Sequence, residues 1–244
     1  MKPFKNLIKP LGILCLPLLA LSFLNAEQEY GSDRIRMGIN GAVKRIDRTG
    51  YRLEHASKMN GSWSYAKGQK YSGILIFDSL GHLQRRYYKY ILGPTFPSGD
   101  GYFIMDQVAV SKNMWNVYGN NGKLKEYATR RWEGEFKMIE ERYDTNHEIR
   151  SLTTSELDRK YRPINEVGVT YNEYDSSVTV ERYRIHYDQL NRIDTFWAIR
   201  DDKSINVYTY KLEDLDSFGN PRELTVFQND TPVNYYSQKY EYFD

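Results

Sequence analysis

The sequence has almost nothing with which to staple itself or hold a metal. One cysteine occurs in 244 residues, Cys15, and it sits in the leading apolar stretch. If that stretch is removed, neither a disulfide nor a thiolate metal site is available. Stability then comes from hydrogen-bonded ladders and packing. Histidine is nearly as scarce: His55, His82, His147 and His186 form no HxH or HxxxH pair, so no metal centre is expected. A GxSxG elbow, a phosphate loop and a dinucleotide fingerprint are also missing. No cofactor is expected and no catalytic residue is assigned.

Long apolar runs are limited to one, Leu11 to Leu24. Lys2, Lys5 and Lys9 precede it and small residues follow, the pattern of an export signal over residues 1–26. A cut after Ala26 is preferred, with one after Ser22 as the alternative. A membrane-spanning helix needs about 20 apolar residues, and Pro17 interrupts this run. No stable transmembrane segment is expected after cleavage. The two positions before Cys15 are Ile13 and Leu14, where bacterial lipoprotein signals carry small residues.

A surplus of one charge is lacking as well. The formal charge is +2, and the leading segment carries three of the 34 basic residues and none of the 32 acidic ones, so its loss leaves −1. No nucleic-acid partner is implied. The destination is the periplasm, the outer-membrane surface or the exterior.

What the chain does have is tyrosine, 22 residues of it, in alternating stretches. RYRIHY, RIDTFWAIR, INVYTYKL, RELTVFQ and VNYYSQKYEYF follow one another, with Tyr208, Tyr210 and Leu212 on one strand face and Tyr236, Tyr240 and Tyr242 on another. Between such stretches lies a recurring corner: IDRTGYRL, FDSLGHL, YGNNGKL, YDTNHEI, YDQLNRI and LDSFGNP. An Asp carboxylate accepts from backbone N–H groups just ahead of it, and Gly or Asn tolerates positive φ. The turn residues expected are Asp47, Asp78, Gly81, Gly122, Asp144, Asp188, Asn191, Asp216 and Gly219. Less clearly marked turns are expected at PSGDG (97–101) and YDSS (174–177). SLTTSELDRK, from Ser151, reads as a short helical turn or as polar strand and loop.

The corners YDQLNRI, YDTNHEI and FDSLGHL resemble the tyrosine-aspartate (YD) repeats of bacterial Rhs proteins and teneurins. MGINGAVKRIDRTGY (37–51) is similar to the opening of small exported YD-repeat-like proteins. The resemblance implies an all-β domain over residues 27–244, with repetitive antiparallel hairpins forming a curled or extended sheet, and it supplies no active site. RRWEGEF (130–136) resembles a single MORN repeat.

Two features bear on function. Glu133 and Glu135 would share one face of an extended strand about 7 Å apart, a spacing suited to glycoside hydrolysis, although pairing with Lys or Arg on neighbouring strands is the preferred account. Trp63, Trp115, Trp132 and Trp197 could offer flat faces for sugar stacking or fill the inner face of the sheet. The expectation is an exported, non-catalytic scaffold or binding module whose partner is a cell-surface glycan or an envelope protein. A secreted glycan hydrolase and a protein-interaction module are the alternatives.

Overall fold

In the computed structural model, residues 32–91, 102–171, 177–200 and 203–244 are described. The expected signal segment and the turn at 97–101 lie outside them, as does YDSS except for Ser177. Fourteen strands follow one another: β1 (Val43–Met59), β2 (Ser62–Phe77), β3 (Leu83–Ile91), β4 (Tyr102–Ser111), β5 (Met114–Tyr118), β6 (Leu124–Trp132) and β7 (Lys137–Asp144). Then come β8 (Ile149–Leu157), β9 (Pro163–Tyr171), β10 (Val178–Tyr187), β11 (Ile193–Ile199), β12 (Ile205–Leu215), β13 (Pro221–Gln228) and β14 (Thr231–Tyr242). Each pairs antiparallel with its sequence neighbours, and β14 pairs with β1 from Val43 opposite Tyr242 to Arg52 opposite Asn234.

The sheet is thus a closed barrel. All-β antiparallel hairpins are present as expected, but the curled or extended sheet is corrected, and with it the resemblance to YD-repeat proteins. Corner signals are local. They specify that neighbouring strands pair, and they carry no information on whether the first strand meets the last.

The corners themselves have one construction. Asp144, Asp158, Asp188 and Asp216 each accept from the backbone N–H two and four residues ahead, at 2.8 to 3.0 Å. Asp78 accepts from His82 N at 2.8 Å. The residue three positions after the Asp lies in the left-handed region: Gly81, His147, Tyr161, Asn191 and Gly219, with φ from 61° to 89°. The corner at Gly119 places Gly122 there, at φ 68°. The strand pairing slips by one residue beside several of these turns, including His186/Tyr187 and Arg142/Tyr143. A type I turn closed by a bulge explains that slip. The stretch from Ser151 is strand to Leu157 and then the Asp158 turn.

Asp47 is the exception. It lies within β1, bound through Arg45 Nε and Nη2 at 2.7 to 3.1 Å, and no corner forms. The glycine that suggested a turn there has another use. A Cβ on Gly50 would stand 2.0 Å from the ring of Tyr71, its partner on β2, so Gly50 clears space for that ring.

The end of the barrel where β1 starts is closed by the chain just before it. Helix α1 (Asp33–Arg36) is one turn, capped by the Ser32 hydroxyl accepting from Ile35 N at 3.4 Å. Asp33 is 5 % exposed and accepts from Arg36 Nη2 at 2.9 Å, Arg130 Nη1 at 3.0 Å and Leu83 N at 2.8 Å. Arg34 donates to Val43 O and Ser79 O, both at 3.0 Å. Asn40 and Asn220 exchange two bonds of 2.8 Å. This plug therefore ties the β2–β3 turn, β6 and the β12–β13 turn together. Met37 and Ile39 pack on the core of Val43, Ile46, Leu75, Phe77 and Leu83.

Two measurements check these devices. Asp188→Ala should lower the free energy of urea unfolding by about 1 kcal/mol through loss of the turn acceptor; an unchanged midpoint would mean that the backbone closes the turn unaided. Asp33→Asn should cost about 3 kcal/mol, because the buried Arg36 and Arg130 lose the carboxylate that they share. Burial acts to raise the Asp33 pKa, but Arg130, Arg36 and the Leu83 N–H hold it down at about 2. Its contribution, about 2 kcal/mol, is complete above the unfolded value of 3.8 and is lost as pH falls through about 2. Unfolding midpoints from pH 5 to 2 should therefore fall faster in the parent than in Asp33→Asn, and parallel curves would refute that role.

Candidate functional site

Side chains alternate inward and outward along each strand, and the inward set encloses a cavity of about 660 Å³. Its floor is the plug, at Asp33, Arg36, Met37, Gly38 and Ile39. One wall is aromatic: Tyr187 from β10, Phe196 from β11, Tyr208 and Tyr210 from β12, and Tyr236 and Tyr240 from β14. Tyr71 joins this surface, stacked on Tyr90 with ring centroids 5.6 Å apart and edge-on to Tyr236 at 5.3 Å. Phe196 lies 5.1 Å from Tyr183 and 5.6 Å from Tyr208. A smaller hollow of about 260 Å³ lies beside these rings.

Burial raises the phenol pKa of Tyr210 to about 12 and pushes those of Tyr71, Tyr187 and Tyr240 upward too. These hydroxyls stay neutral, and that of Tyr240 donates to Pro221 O at 3.1 Å. Among the described residues, the hydroxyl of Tyr187 has no hydrogen-bond partner, and that of Tyr71 has its Tyr236 neighbour beside it. Buried polar atoms are ordinarily satisfied, and Tyr187 is the one of these two that lines the cavity.

The charges around the cavity are unevenly matched. Arg36 and Arg130 meet Asp33, and Arg130 also approaches Glu140 at 3.6 Å. Arg192 pairs with Asp188 at 2.6 Å. Arg48 has only neutral partners among the described residues, the Gln238 side-chain oxygen at 2.8 Å and the Tyr236 ring at 5.4 Å. Arg86 forms no ion pair there, and its Nε is buried without a partner. On β9, Glu166 accepts from the Ser155 hydroxyl at 2.8 Å. Burial pushes its carboxyl pKa up, the Ser155 bond opposes this, and the charge of Glu140 adds to it.

The tryptophans do not form one strip. Trp115 is 1 % exposed, its Nε1 donates to Leu83 O at 3.4 Å, and Arg130 lies over its ring at 4.5 Å. Trp132 ends β6 beneath Arg36, at 5.6 Å. Trp63 is at the start of β2 with Lys58 over it at 5.7 Å. Trp197 faces away from the cavity on β11, since Phe196 beside it faces in.

Glu133 and Glu135 are not on a strand. They lie in the β6–β7 turn, where Glu133 binds Arg131 at 2.7 Å and Lys137 at 2.6 Å. The tight turn at Gly134, with φ 71°, breaks the extended spacing expected for the pair. The histidines are also separate. His82 is in the β2–β3 turn, His147 meets the Tyr127 hydroxyl at 2.6 Å, His186 meets Asp194 at 2.7 Å, and His55 lies in β1. No group of three metal-ligating side chains occurs among the described residues.

The outer wall is polar at many levels. By alternation with the lining residues, Arg85 and Lys89 on β3, Asp106 on β4, Lys137 and Glu141 on β7 and Arg182 and Arg184 on β10 face outward. Lys211, Glu213, Lys239 and Glu241 continue this pattern on β12 and β14. A lipid-facing barrel carries an apolar band roughly 25 Å tall, and each Arg or Lys at its midplane costs about 2–4 kcal/mol. The described outer wall has no such unbroken band. No helix among the described residues is long and apolar enough to cross a membrane.

No known protein family matches the chain, and no curated protein does so either. Among solved structures, a porin-like protein from Bacteroides uniformis is similar over 83 % of this chain and 99 % of its own length, with 10 % sequence identity and a TM-score of 0.37. A likeness that faint transfers no property to this chain, whose barrel is defined by its own strand pairing.

Proposed function

We propose that this chain is an exported, non-catalytic barrel that takes a small polar ligand into its lumen, in the envelope or outside the cell. The observation that carries the reading is the plugged cavity walled by Tyr187, Tyr208, Tyr210, Tyr236 and Tyr240, with the Tyr187 hydroxyl left without a partner among the described residues. Its volume lies within the roughly 300–1,000 Å³ usual for small-ligand sites. Tyrosine rings stack on the apolar faces of sugars while phenols bond their hydroxyls, so a mono- or disaccharide is the ligand class favoured. The glycan surface expected on tryptophans is relocated to this tyrosine wall. The basic, apolar leading segment supports export.

A second reading, a pore-forming barrel in the outer membrane, has the closed ring of fourteen antiparallel strands in its favour. The outward charges and the plug weigh against it.

Calorimetry with glucose, galactose, cellobiose and maltose tests the first reading. At least one should bind, and Tyr210→Ala should weaken that binding at least tenfold with the fold intact by circular dichroism. No binding by any of these saccharides, or undiminished binding in Tyr210→Ala, would overturn luminal saccharide recognition. In planar bilayers the protein should produce no stepwise conductance, whereas stable channels would favour the pore.

A further inference from the structure

We infer that the luminal ligand carries an anionic group, received by Arg86 together with Arg48; the inference rests on the luminal-binding reading and specifies its ligand as an acidic small saccharide.

The two arginines flank the same strand. Arg48 pairs across to Gly73 on β2, and Arg86 pairs across to Leu75, two residues along on the same face. Both line the cavity. Two strand spacings, about 10 Å, and an offset of about 7 Å along the strand put their Cα atoms about 12 Å apart, within the span from which two long guanidinium side chains can reach a common anion. Gly73 adds no side chain of its own, and the ring of Tyr88, its partner on β3, lies over it, 2.7 Å from where a Cβ would stand, so an anion between the arginines would rest against that ring. Both guanidiniums also act on the Tyr90 phenol, opposing the burial that raises its pKa. They therefore share one neighbourhood at the aromatic wall.

Their lack of countercharge sets them apart from the other lining cations. Arg36, Arg130 and Arg192 each have a carboxylate, whereas Arg48 and Arg86 have none among the described residues. A partly desolvated guanidinium whose Nε has no partner is unfavourable. A carboxylate, sulfate or phosphate accepts two parallel N–H bonds from such a group. Tyr236, which lies under Arg48, offers a ring face beside that point for the body of the sugar.

The test is calorimetry of the intact barrel with glucose, glucuronate, glucose 6-sulfate and glucose 6-phosphate. At least one acidic sugar should bind ten times more tightly than glucose, with the advantage shrinking as salt is raised. The preferred arm separates a uronate from a sulfate or a phosphate source. Arg86→Gln and Arg48→Gln should each remove most of that advantage while keeping the parent's circular dichroism spectrum and urea midpoint, a control that a merely unfolded variant would fail. Neutral and acidic sugars binding alike would overturn the anionic assignment and leave luminal saccharide binding standing. So would an advantage retained in both variants. If none of the four binds, this inference falls, and the neutral panel decides separately whether luminal binding survives.

Discussion

The pairing of β1 with β14 is the constraint on which the other features depend. A sheet of fourteen strands left open would expose two long edges of unpaired backbone groups, each able to template association. Here the first and last strands share nine paired positions, from Val43 to Arg52. Closure separates an inside from an outside. Without it Tyr208, Tyr210 and Tyr236 would lie on one face of a curved ribbon, and Arg48 and Arg86 would remain fully hydrated. The plug depends on the same closure, because it joins turns that are far apart in sequence and lie at one end of the ring.

Much of the local structure was legible in the chain. Asp188 and Asn191 mark a corner because the carboxylate organises the amides ahead of it and Asn accepts positive φ. Asp144 shows that the motif tolerates His147 where glycine is usual, since four correct turn hydrogen bonds can outweigh one strained residue. The same grammar misleads at Asp47. There Asp and Gly occupy the expected spacing, yet the aspartate is an outward ion-pair partner and Gly50 is clearance for Tyr71. A short motif does not distinguish a glycine needed for its φ from one needed for its missing side chain. Closure was not legible, because it depends on residues about 200 positions apart.

The candidate site was less legible than the fold. Tryptophan offers the largest sugar-stacking surface in the sequence, but Trp115 is occupied in seating Arg130 and Trp197 points away. Tyrosine alternation was visible over β12 and β14, and it correctly placed Tyr208 and Tyr210 on one face. Arg86 gave no such signal. It stands next to Arg85 in QRRYYKY, and only the register with Gln107 and Leu75 shows which of the two enters the lumen. Arg85 turns outward to Asp106 at 2.7 Å.

The number of strands also explains why a cavity exists. Barrel diameter grows with strand number, and about eight strands already give an interior that side chains can fill. Fourteen enclose more than that. Near the start of β1 the excess is filled by the plug and by the cluster from Val43 to Leu83; beyond them tyrosines from β10, β12 and β14 line the wall. Those rings gain burial against their neighbours, and the Tyr240 hydroxyl is satisfied by Pro221 O at 3.1 Å. A barrel built only for rigidity would gain more from apolar side chains than from an uncompensated Arg86. The placement of that cation beside open volume joins the geometry of closure to the chemistry of binding.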